Sequence, residues 1–222
     1  MINILLDGSN IDADWLYGTL KKYIKPAQKV TVVAFSFAES IRSADMWEKL
    51  YTPRVGRYYD SIVGAFAAYG IGDDDVTFVN YFTDTPETAA RKIMDADILY
   101  FPGGNPVLMM QRIDRMGLRK TILQHDGVVM GFSAGALIQM EEYHLSPDDD
   151  FPEFMYSNGL PWLRDFYLEV HYEGNEVQDE AINRVLAERD AVVYATACGK
   201  GAILAAEGRL TLLGDVRIFS NR

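Results

Sequence analysis

Cysteine is almost absent: Cys198 stands alone in a chain of 222 residues. No internal disulfide and no thiolate cage for a metal can form, which fits a reducing compartment and makes a cytoplasmic location the expectation. Basic residues are also scarce, with 21 Lys and Arg against 32 Asp and Glu, a net charge of −11. A surface of that sign repels phosphate backbones, so nucleic acid is excluded as a partner. Long apolar runs are missing too. Nothing approaches the roughly 18 consecutive apolar residues of a membrane span, and the start from Met1 to Gly8 lacks the basic flank of a signal peptide. Linkers, internal repeats and low-complexity segments are not seen, so a single domain over 1–222 is expected from the usual domain size of about 150 residues. With 49% apolar and 24% charged residues, there is ample material for a core, and disorder is excluded.

What is present is alternation. Ile2–Leu6, Val30–Phe35, Val76–Val79, Ile98–Phe101, Val128–Gly131 and Tyr167–Val170 are short apolar runs without in-out patterning, as strands covered on both faces require. Between them lie helix-like segments. Thr85-Pro86 offers an N-cap followed by proline at the first helical position, and Asp126-Gly127 ends the segment from Leu118 to Gln124. Pro53 and Gly56 divide the helical region from Met46 to Tyr69, so two helices with a turn are expected there. After Met140 the pattern breaks into a long irregular loop through Asp148-Asp149-Asp150, and such loops are usually functional or mobile. From Val192 onward short strands with turns at Glu207-Gly208 and Gly214-Asp215 predict an antiparallel extension. The whole reads as an α/β fold with a mainly parallel central sheet between helices.

The strongest chemical signal is Gly131-Phe132-Ser133-Ala134-Gly135, a GxSxG between a buried strand and a helix predicted over Ala134 to Met140. That context suits a nucleophile elbow, in which flanking glycines permit a sharp turn and the helix start aims free N–H groups at the serine. A serine hydroxyl needs a base, and histidine is the usual one. There are three. His125 suits a helix-end cap, His144 lies in the irregular loop, and His171 ends a strand-like run at the edge where open α/β sheets place ligands; His171 is the choice. A second signal is Pro102-Gly103-Gly104-Asn105 after a strand, where backbone amides can approach an oxyanion, with the Ala134 amide as a second donor. Gly199-Lys200-Gly201 lacks the remainder of a phosphate-binding loop, and no spacing suggests zinc. Asp148-Asp149-Asp150 reads as a solvated surface run rather than a cation site. No cofactor and no metal are implied.

The ordered set Phe101-Pro102-Gly103-Gly104-Asn105, then Gly131-Phe132-Ser133-Ala134-Gly135-Ala136, then Glu169-Val170-His171-Tyr172 resembles the serine peptidase family of dipeptidase E and cyanophycinase over most of the chain. The resemblance implies a three-layer α/β sandwich related to class I glutamine amidotransferases, flavodoxin-like in arrangement. It also implies Ser133 as acylated nucleophile, His171 as general base, and Gly104 and Ala134 at the oxyanion hole. Asn105 and Gln178 are expected to contact substrate. Gln178 stands where dipeptidase E has an arginine that reads an N-terminal aspartate, and an uncharged amide cannot form that bidentate pair. Where dipeptidase E carries Pro-Glu-Gly, a candidate source of the acid that orients the histidine, this chain has Ala197-Cys198-Gly199. The expected triad acid is then Asp148, with Asp149 as the alternative, or neither. The expectation is a peptidase for small peptides, monomeric or homodimeric; the rivals are a serine esterase and a binding protein that has lost its triad.

Overall fold

The computed structural model describes residues 1–221. In chain order the first half comprises β1 (Ile2–Leu6), α1 (Asp14–Leu20), β2 (Val30–Val33), α2 (Ala44–Tyr51), α3 (Tyr59–Ala67), β3 (Val76–Val79), α4 (Pro86–Met94), β4 (Ile98–Phe101) and α5 (Pro106–Arg115). The second half comprises α6 (Arg119–Leu123), β5 (Val128–Phe132), α7 (Ala134–Leu137), β6 (Glu142–Leu145), β7 (Met155–Asn158), β8 (Phe166–Tyr172), α8 (Glu176–Arg189), β9 (Val192–Ala206) and β10 (Arg209–Phe219). The main sheet runs β10-β9-β1-β5-β4-β2-β3, with β8 on the other part of β9. Pairings among β1, β5, β4, β2 and β3 are parallel, as is β8 with β9, while β9 runs antiparallel to β1 and β10. The fold is thus a mainly parallel α/β sandwich.

Side chains alternate across a strand, and here both faces are buried. Ile98 and Tyr100 enter the core under α1, α2 and α3, beside Leu16, Trp47 and Phe66. Leu99 and Phe101 enter the opposite core under α4, α5 and α6, beside Ile93, Ile113 and Ile122. Helix α8 covers the β8–β9 part of the sheet with Ile182 and Val185 against Tyr167 and Val193. Thr85 and Thr88 close a reciprocal cap at the start of α4, with Pro86 in the first turn, and α2 and α3 divide the helical region as Pro53 and Gly56 predict.

Three expectations are corrected. The stretch after Met140 contains β6 and β7, which pair antiparallel as a separate small sheet. The polar mixture in Glu142–Leu145 and Met155–Asn158 hides them: β6 buries three polar and apolar residues in a row without alternation, and β7 buries none fully. The chain after Val192 forms one long hairpin turning at Glu207-Gly208, and Gly214 marks a bulge inside β10 rather than a second turn. Helix α7 is a single short turn that ends before Met140.

The order β9-β1-β5-β4 brings the carboxyl ends of β1, β4 and β5 side by side. In open α/β sheets ligands bind at this edge.

Candidate active site

Ser133 follows β5 and opens α7 with φ 51° and ψ −117°, backbone angles that a side chain rarely adopts. The surroundings hold it there. Its amide donates to the Leu6 carbonyl at 2.9 Å, and its own carbonyl accepts from Ala136 and Leu137 at 2.9 and 3.0 Å. The flanking glycines are required by contact: a Cβ at Gly135 would lie 1.8 Å from the Phe101 carbonyl oxygen, and one at Gly131 would lie 2.5 Å from the Gly135 oxygen. The turn after β5 therefore rests directly on the end of β4.

His171 is carried by β8 at an irregularity between Glu169 and Tyr172, with φ 54°. Bulges of this kind re-aim side chains next to active sites. Its Nε2 lies 2.9 Å from Ser133 Oγ, and its Nδ1 lies 3.2 Å from Asp7 Oδ2. Its backbone amide donates to Asp7 Oδ1 at 2.6 Å.

Asp7 is the carboxylate that sequence reasoning missed. It follows β1 and is fully buried, a state that needs compensating donors. Besides both His171 groups, it accepts from Thr196 Oγ1 at 3.0 Å and from the Gly199 amide at 2.6 Å. The imidazole pKa is raised above its ordinary 6.5, first by the hydrogen bond to Asp7, with burial opposing and the charges of Asp7, Glu169 and Asp148 adding to the rise. With Asp7 accepting from Nδ1–H, Nε2 is left as the lone-pair nitrogen facing the serine.

Asp148 is not at that position. It is exposed, and its Oδ1 accepts from the amides of Asp150 and Phe151 at 2.9 and 2.7 Å. Its carboxylate folds back on its own turn, so it acts on His171 through charge alone. Asp149 is exposed in the same loop. His144 is buried and pairs with Glu169 Oε2 at 2.7 Å, behind the site, and His125 Nε2 lies 3.2 Å from the Val128 carbonyl.

Gly104 sits at φ 133°, and a Cβ there would meet the Ser36 carbonyl oxygen at 2.4 Å. Ser36 fixes this turn: its hydroxyl donates to the Gly103 carbonyl at 2.5 Å and its carbonyl accepts from Asn105 at 2.8 Å. Asn105 caps α5 by accepting from the Leu108 amide at 2.9 Å. Ala134 is the first residue of α7, so its amide has no acceptor within the helix. Gln178 is engaged as well. Its amide nitrogen donates to the His171 carbonyl at 3.0 Å and to Glu169 Oε1 at 3.2 Å, and its oxygen accepts from Glu173 at 2.9 Å. Its side chain braces the segment after His171 rather than presenting free donors.

Two hollows adjoin these residues. The larger, about 930 Å³, is bounded by Gly103, Gly104, Asn105 and Phe132; the smaller, about 340 Å³, by Asp148, His171 and Gln178. Among the described residues, Asp7, His171 and Cys198 are grouped closely enough to hold a metal ion, their ligand atoms lying within 4.8 Å of one another. Two of the three are already joined in the hydrogen-bond chain to Ser133. No helix among the described residues is long and apolar enough to cross a membrane.

Known proteins carry the same architecture. A candidate peptidase E protein from Listeria monocytogenes EGD-e superposes with a TM-score of 0.67 at 17% identity, over 96% of this chain and 98% of that one. A peptidase from an acI-B1 actinobacterium gives 0.65 at 16% identity, over 100% and 91%. At that identity the likeness is one of fold. In sequence, an uncharacterised peptidase of Pasteurella multocida strain Pm70 is 28% identical over 127 residues, which is 52% of this chain and 57% of that protein. The stretch from residue 52 to 213 matches the sequence model of one family, and since that stretch holds the glycine turn, Ser133 and His171, the chain belongs to peptidase family S51.

Proposed function

We propose that the protein is a serine peptidase that hydrolyses small peptides through an acyl-enzyme on Ser133. The observation that carries this reading is the chain of contacts Ser133–His171–Asp7, with Oγ to Nε2 at 2.9 Å and Nδ1 to the carboxylate at 3.2 Å. His171 Nε2 takes the hydroxyl proton as Oγ attacks the peptide carbonyl. The amides of Gly104 and Ala134 stabilise the oxyanion; losing one such donor typically slows a reaction roughly a hundredfold to a thousandfold. The imidazolium then gives its proton to the leaving amine, the C–N bond breaks, and water activated by the same nitrogen releases the acyl group. Asp7 stays ionised throughout, holding the ring and balancing its transient charge.

The reading as a binding protein rests on a missing carboxylate, and Asp7 removes that motive. The test is labelling by a fluorophosphonate probe. The wild-type chain should react at one site and S133A should not. A dipeptide screen followed by mass spectrometry should then trap an acyl group on Ser133 that H171Q fails to form. Equal labelling of wild type and S133A would remove the nucleophile from the proposal.

A further inference from the structure

The two hollows beside the site share one electrostatic property: neither is lined by lysine or arginine, although the Arg112 guanidinium stacks on the Phe37 wall of the larger one, 3.6 Å from the ring centre, and attracts Glu39. Carboxylates line both. Glu39 and Asp150 border the larger hollow, and Asp148 and Glu169 border the smaller. Glu169 is already paired with His144 and Gln178, whereas Glu39, Asp148 and Asp150 are exposed. The acidic loop runs past both hollows, with Asp148 in one and Asp150 and Phe151 in the other. The larger hollow is also strongly aromatic. Phe37, Tyr51, Tyr58, Phe132 and Phe151 form its walls, and its volume is in the range that encloses a whole small ligand.

We infer that the substrate is a short peptide with a large apolar side chain and a positively charged group, the side chain entering the larger hollow and the charge facing Glu39 and Asp150. This rests on the peptidase reading of Ser133 and adds the substrate class. An apolar wall rewards a large side chain, with each methylene worth roughly tenfold or more in discrimination. The surrounding carboxylates draw a cation and repel a carboxylate, and that preference weakens as salt rises. An acidic side chain would meet no lysine or arginine in the lining of either hollow, and the Gln178 amide is already occupied by Glu169 and the His171 carbonyl.

The experiment compares kcat/KM for Phe-Lys, Lys-Phe, Phe-Ala, Ala-Lys and Asp-Phe at low and high salt, with fluorophosphonate labelling of Ser133 as an independent measure of a working nucleophile. Phe-Lys or Lys-Phe should be the best substrate, at least about tenfold better than Ala-Lys, and Asp-Phe the poorest. The ratio of Phe-Lys to Phe-Ala should fall about two- to fivefold in E39Q and in D150N, the size expected for an exposed charge pair, and should shrink in high salt. Labelled protein that prefers Asp-Phe, or that cleaves none of the panel, overturns the substrate class and leaves the nucleophile standing. Protein that is neither labelled nor active overturns both.

Discussion

Asp7 and His171 are separated by 164 positions in the chain and meet twice, Asp7 accepting from both the backbone amide and the imidazole of His171. A single buried carboxylate therefore fixes both the position of the ring and the nitrogen it turns toward Ser133. Replacing Asp7 with asparagine should leave the fold intact and permit the wrong tautomer, lowering kcat by about 10⁴ as in other serine hydrolases. D148N should change kcat by less than about fivefold, since Asp148 reaches His171 only as an exposed charge. Steady-state kinetics on the two variants check this; comparable losses in both would restore Asp148 to the triad.

The same contact sets the pH dependence. The His171 pKa is raised above 6.5, chiefly by the hydrogen bond to Asp7, and the ring must be neutral to take a proton. Activity should therefore rise with pH through a midpoint above 6.5, and D7N should move that midpoint to lower pH while lowering the plateau. For stability the sign is opposite. A raised folded-state pKa contributes stability that is complete below the unfolded value and disappears as pH rises through the folded one. A pH–rate profile of kcat/KM on each protein reads the midpoints.

Gly135 is the tightest point of the elbow, where a Cβ would lie 1.8 Å from the Phe101 carbonyl oxygen. Backbone cannot yield as a flexible side chain can, so G135A should destabilise by about 3 kcal/mol or more. Denaturant melts measure it, and an unchanged midpoint would contradict the close approach of the turn to β4.

Ser36 touches no reacting atom and positions the glycine turn through Gly103 and Asn105. S36A should lower kcat by up to about tenfold by misplacing the Gly104 amide, and S36T should recover part of the loss. A fall confined to KM would assign Ser36 to binding instead.

The strands and the pairing of Ser133 with His171 are readable in the sequence for a local reason. Ser133 is announced by a buried run entering Gly-x-Ser-x-Gly, and His171 by its place at the end of another run. Asp7 carries no such signal. It becomes a partner of His171 only because β1 and β8 pair with successive parts of the same long strand β9, β8 with its first part and β1 with its last, an arrangement that strand patterns alone do not dictate. Asp148 is suggested by its position between serine and histidine in the chain, but β6 and β7 form beside that loop and its carboxylate is taken by the amides of Asp150 and Phe151. Gln178 shows the same limit: contact with substrate is what the sequence suggests for it, while its bonds to Glu169 and the His171 carbonyl are not legible there.

Ser133 and His171 share one further trait, a left-handed backbone at φ 51° and 54° in residues that are not glycine. Such angles typically raise the energy of a folded chain by about 1–3 kcal/mol per residue. Glycine at position 133 would relieve the first of them, so S133G should unfold at a higher temperature than the natural chain while losing its turnover entirely. On the proposed function, durability and reactivity are opposed at this one residue: a weaker native state keeps the hydroxyl oxygen within reach of His171.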